Sequence, residues 1–138
     1  MKCKFQLSSE NPPEKIYKKA LELFGSVVSF DSGVVFTVGD TIYCKESLSR
    51  DLLEHEKTHV IQQESLGWEK WWEFYFSNPS FRYEQELEAY CKQYRWLLEN
   101  CKDRKKIHDY LMFFASCLSG KMYGNIVSFG VAYKEIKG

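Results

Sequence analysis

Two of the chain's three histidines, His55 and His59, stand four residues apart in "LLEHEKTHVIQQ", with Glu56 directly after the first. On a helix that spacing places both imidazoles on one face about a turn apart, close enough to share one metal ion. Zinc held there would acidify a bound water and polarise a carbonyl, and Glu56 beside it would take the water's proton and hand it to a departing amine. The competing reading is an ordinary amphipathic helix. Two buried histidines without a metal would then each need polar partners among leucines, at a cost in free energy.

A helical wheel puts Leu48, Leu52, His55, Glu56, His59, Gln63 and Leu66 in one sector, with Arg50, Glu54 and Lys57 opposite. The motif is expected to face inward, with Leu52 and Leu66 anchoring the helix. A catalytic zinc takes three protein ligands and leaves a fourth position open. The continuation that adds a third histidine would need a glycine at position 62 and a histidine at position 65, whereas this chain has Gln62 and Ser65. The remaining candidates are His108 and the glutamates of "YEQELEAY". Of these, Glu84 and Glu86 flank an apolar stripe, Glu88 lies away from it, and Glu86 stands beside Tyr83 and Tyr90.

The motif helix must be positioned by the rest of the chain. "KCKFQL" alternates as a first strand, and "NPPEKIYKKALELFG" reads as a helix closed by Gly25. "SVVSF", "VVFTV" and "TIYCK" are β-branched or aromatic runs separated by "DSG" and "GD", the pattern of a small antiparallel sheet. From Ser47 the period becomes helical: a helix to Leu66 ended by Gly67, an aromatic one from Trp68 to Phe76, then Phe81 to Asn100 and Asp103 to Leu118. Ser128 opens a last helix through Ile136, for which a strand is the alternative. The expected class is α+β, a small antiparallel sheet followed by a helical layer, in one domain spanning 1–138.

The pairing of His55-Glu56-x-x-His59 with the later Glu86-Leu87-Glu88-Ala89 resembles the gluzincins, the thermolysin-like clan of zinc peptidases. In that clan the first glutamate of Glu-x-x-Ala is the third ligand, so the resemblance points to Glu86. The clan often has an aspartate four residues later, supporting a histidine ligand; this chain has Tyr90 there. "HEKTHVIQQ", "YEQELEAY" and "LSGKMYGNIVS" together are similar to short metallopeptidase-like proteins encoded in phages and prophages. The resemblance implies a minimal zincin-like fold with the motif helix beneath the edge of the sheet, and zinc-dependent peptide-bond hydrolysis by His55, His59, Glu86 and Glu56. A zinc-stabilised but inactive binding or phage-assembly protein is the alternative.

The substrate would be a peptide or protein laid along a strand edge, for which "GDTIYCK" is the choice. Tyr83, Tyr90, Tyr123 and His108 are candidates to stabilise an oxyanion. The aromatic segment Trp68 to Phe76 would cover the core more than line subsites. Nineteen basic against nineteen acidic residues argue against nucleic acid or a membrane as partner. Five cysteines without close pairing read as reduced thiols, and the opening "MKCKFQLSSENPPEK" holds no apolar run of signal length. The expected location is the cytoplasm, and no pattern fixes an oligomeric state.

Overall fold

Local signals place most of the helices. A computed structural model describes residues 3–138. Helix α1 spans Glu14–Phe24 and ends at Gly25, whose φ of 76° suits glycine. The motif helix α2, Arg50–Leu66, stops at Gly67 (φ 92°), where the chain turns directly into α3, Trp68–Ser77. Asn78 caps α4, Pro79–Asn100, its side chain accepting from the Phe81 N–H at 3.1 Å. The expected start at Phe81 is therefore two residues late: "SNP" opens this helix, because a proline in the first turn gives up no helical hydrogen bond. Asp103 caps α5, Arg104–Leu118, and Ser128 caps α6, Phe129–Lys137, which settles the carboxyl-terminal segment as helix.

The sheet departs from the expected one. Strands β1 (Gln6–Ser8), β2 (Phe36–Val38) and β3 (Thr41–Tyr43) lie in the order β1-β3-β2. The β2–β3 hairpin is antiparallel around Gly39–Asp40, but β1 adds to the far side of β3 in parallel, so the sheet is mixed. Lys2, which belongs to the expected first strand, lies outside the described residues. "SVVSF" is not a strand: two 3-10 turns, Gly25–Val28 and Phe30–Ser32, follow α1, and Val28 and Phe30 are buried. Their β-branched and aromatic side chains fill a core instead of pairing along a ladder.

"TIYCK", the expected edge, is the central strand, and β2 is the edge that α2 approaches. Val38 and Gly39 are followed after one residue by Thr41, a turn too short to let β3 do anything but pair back on β2. With β1 on its other side, β3 has no free edge.

Two apolar clusters flank the motif helix. One gathers α1, the 3-10 turns, β2 and α3 around Phe30, Phe36, Trp71 and Trp72; the other gathers α4, α5 and α6 around Leu111, Phe114 and Leu118. Helix α2 packs on α4 and β2. Leu52 is only half-buried and Leu66 is exposed, so neither anchors it as expected. The buried positions are Asp51, His55, Glu56, Thr58, His59, Val60 and Gln63. A helix wedged between a strand edge and another helix meets polar backbone on one side, and polar side chains answer it.

Gln63, 1% exposed, shows how. Its Oε1 accepts from the Gly39 N–H at 2.7 Å and its Nε2 donates to the Thr37 carbonyl at 2.7 Å. Replacing Gln63 with Leu is expected to lower stability by about 1–3 kcal/mol, because a buried donor loses its partner. Urea denaturation measures this, and an unchanged midpoint would contradict the anchoring role.

Candidate metal centre

Helices α2 and α4 bring His55, His59 and Glu86 together. All three are buried, and their ligand atoms lie within 4.8 Å of one another. Both imidazole Nε2 atoms point at the same carboxylate oxygen, Glu86 Oε1, at 3.0 Å from His55 and 2.9 Å from His59. The other oxygen, Oε2, accepts from the Tyr75 hydroxyl at 2.6 Å.

The far side of each ring fixes its protons. Gln93 donates through Nε2 to the Asp51 carboxylate, so its Oε1 must be the atom facing His55 Nδ1 at 2.9 Å. Gln62 donates through Nε2 to the Gln85 carbonyl and the Glu88 carboxylate, so its Oε1 faces His59 Nδ1 at 2.8 Å. Amide oxygens only accept; each Nδ1 therefore carries the proton, and in the neutral ring each Nε2 is left with a lone pair. Two lone pairs and a carboxylate oxygen converge with no proton among them, an arrangement that repels itself unless a cation joins it.

Without a metal that cation is a proton. Burial disfavours a charged His59, but the Glu86 carboxylate outweighs it and lifts the pKa to about 9. Burial likewise pushes Glu86 up, and cationic His59 with the imidazole hydrogen bonds holds it well below the usual carboxylate range. A divalent ion could take the proton's place: two imidazoles and one carboxylate are zinc-type donors, and zinc's tetrahedral ligands stand about 3.3 Å apart, a few tenths of an ångström beyond the 3.0 and 2.9 Å between each Nε2 and Glu86 Oε1.

Glu56 lies beside the cluster. It is 7% exposed, and its Oε1 accepts from the Thr37 hydroxyl at 2.8 Å, so strand β2 steadies it. Among the described residues its Oε2 has no hydrogen-bond partner, which leaves an acceptor free. Glu56, His55, His59 and Glu86 all line one cavity of about 530 Å³. Its walls are mainly apolar, with Phe24, Val27, Val28, the segment Val34 to Phe36 that leads into β2, and Met122 among them.

The other candidates stand elsewhere. Glu84 is exposed; Glu88 is exposed and serves Gln62. His108 is exposed on α5, its ring 6.4 Å from that of Tyr133 and outside the cavity lining. Tyr83 donates to Glu135 and is also outside the lining. Tyr90 and Tyr123 do line it. Tyr90, where the resemblance has an aspartate, packs its ring edge-on against His55 with the centroids 4.6 Å apart, and it is Gln93 that accepts the His55 Nδ1–H. Tyr123 is buried, and burial raises its pKa well above the usual phenol value. Trp71, Trp72 and Tyr75 both fill the core and line the cavity. Lys57 faces outward and pairs with Glu54 at 3.2 Å.

Four supporting residues escaped the sequence reading. Asp51 precedes His55 by one turn, Gln62 follows His59 by three residues, and Gln93 follows Glu86 by two turns, all spacings that share a helix face. Tyr75 had no such signal, since α3 meets α4 only in three dimensions.

Metal uptake near pH 7 is expected to release roughly one proton, since the metal-free His59, with its pKa raised, is protonated there and must lose that proton to ligate. Affinity then falls as pH falls. Calorimetry in buffers of different ionisation enthalpy reads the proton count, and no release would contradict the proton's place in the cluster.

Comparison with protein-family models, curated proteins and solved structures finds no match to this chain.

Proposed function

We propose that this chain is a zinc-dependent peptide hydrolase on a minimal zincin-like scaffold. One observation carries the reading. Two imidazoles, each held with Nδ1 against an amide oxygen, turn Nε2 toward one oxygen of a buried carboxylate, and Glu56, with one oxygen free, lines the same cavity. A structural zinc site is usually closed by four protein ligands, whereas three ligands beside an acidic side chain and a cavity suit catalysis.

Zinc at His55, His59 and Glu86 would supply a Lewis acid and a water acidified towards neutral pH. The chain's own part is distinct. Glu56 accepts the attacking water's proton at Oε2 and returns it to the departing amine, with Thr37 keeping the carboxylate in place. Tyr75 leaves Glu86 one oxygen for the ion by occupying the other. The apolar walls exclude bulk water, and the segment Val34 to Thr37, which leads into the β2 edge, is where an extended peptide meets the site. A cavity of this size is within the ordinary range for ligand sites.

Protein purified without added metal is expected to carry about one equivalent of zinc by elemental analysis, and His55→Ala or Glu86→Ala to carry little. Glu56→Gln should keep the metal and the fold while hydrolysis of peptide substrates falls by about 100-fold or more. Under roughly a tenth of an equivalent of zinc in the natural chain would sink the proposal. Metal with no hydrolysis dependent on Glu56 would favour a zinc-stabilised binding protein.

A further inference from the structure

The two histidines are supported unequally. Asp51 sits in the first turn of α2, where an acidic side chain commonly stays in water, yet it is 7% exposed, and Gln93 is 4% exposed. Neither lines the cavity. The Gln93 amide spans the gap, Nε2 donating to Asp51 Oδ2 at 2.8 Å and Oε1 accepting from His55 Nδ1 at 2.9 Å. A buried carboxylate therefore ends the path from His55. The path from His59 ends in the Gln85 carbonyl and the exposed Glu88, where water screens the charge.

We propose that Asp51 acts through the Gln93 amide to fix the tautomer of His55 and strengthen its Nε2 as a donor to the ion, making it the more firmly held of the two imidazole ligands. The proposal rests on the reading of this cluster as a metal site. A carboxylate two hydrogen bonds away polarises the amide, strengthens its oxygen as an acceptor and enriches Nε2 as a donor to the ion. Placing an amide between ring and carboxylate keeps Asp51 from competing for the proton on Nδ1. Gln93 and Asp51 are positioning residues; neither touches the ligand atoms.

Zinc affinity of Gln93→Leu, Gln62→Leu, Asp51→Asn and the natural chain, measured by competition with a chromophoric chelator, tests this. Urea denaturation of each metal-free protein and a long-range 1H–15N spectrum of each zinc-loaded one complete the test. Gln93→Leu is expected to lose about 10- to 100-fold in affinity and the slowly exchanging His55 Nδ1–H resonance. Gln62→Leu should lose less affinity. Asp51→Asn keeps an acceptor for Gln93 but not the charge, so the resonance should remain while affinity still falls. A merely structural role would lower metal-free stability and leave the resonance in place.

Natural chain that binds zinc, with Gln93→Leu within about threefold of it or Gln62→Leu the weaker binder, overturns the proposal. Should Gln93→Leu fail to fold, unchanged affinity in Asp51→Asn overturns it instead, and reduced affinity with the resonance intact supports it. No zinc uptake by the natural chain overturns the metal reading itself, a separate outcome.

Discussion

An ionised carboxylate nine-tenths buried among helices is the constraint around which this molecule is arranged. Glu86 cannot sit in the interior on its own, because desolvating an anion costs several kcal/mol unless hydrogen bonds and opposite charge offset it. Its two oxygens are met by two imidazoles and a phenol, delivered from α2 and α3. Those imidazoles are polar in turn and need partners of their own, which Gln93 and Gln62 provide. The requirement passes outward through each ring of contacts until it ends at Asp51, Glu88 or backbone. Among the described residues every side-chain nitrogen or oxygen cut off from solvent has a partner.

That chain of requirements also accounts for the packing of the motif helix. Its buried face is mainly polar, and the apolar clusters lie to either side of it instead of beneath it. Arg82, 6% exposed, makes a similar join elsewhere, donating to the Tyr75 and Met122 carbonyls and so tying the end of α3 to the segment carrying Tyr123. Within α3 the Trp71 and Tyr75 rings stack one turn apart at 4.9 Å, a pair worth about 0.5–1.5 kcal/mol beyond the area it buries, and Trp71 meets Phe81 of α4 edge-on at 6.1 Å. A small protein thus positions a site using directional contacts that specify geometry more than they add stability.

Local rules made much of this legible. Caps and a 3.6-residue period are carried by neighbouring residues, which is why the helices ended by Gly25, Gly67 and Asn100 and those opened by Asp103 and Ser128 could be read from the chain alone. The α+β class followed from them. Strand pairing is not local. Nothing in "TIYCK" announces that Gln6–Ser8 will return to its far side in parallel, or that "SVVSF" will be consumed by a core. At the site, His55 and His59 share one helix face and stand out by spacing, Glu86 was pointed to by a resemblance, and Thr37 and Tyr75 reach their carboxylates from other elements across gaps of 19 and 11 residues. The expectation that leucines would anchor α2 failed because the wheel ranks positions by direction, not by what lies opposite them.

The Gln63 amide has a further effect. A side-chain carboxamide has the same donor and acceptor as a peptide group, and here it engages a strand's carbonyl and the N–H two residues on, much as a neighbouring strand would. Trp72 adds a second donor to the same carbonyl. A three-stranded sheet with a bare, largely apolar outer strand invites pairing with other chains. In this protein part of the β2 edge is already paired, by a residue that cannot extend the ladder, so that stretch offers no free backbone to another chain.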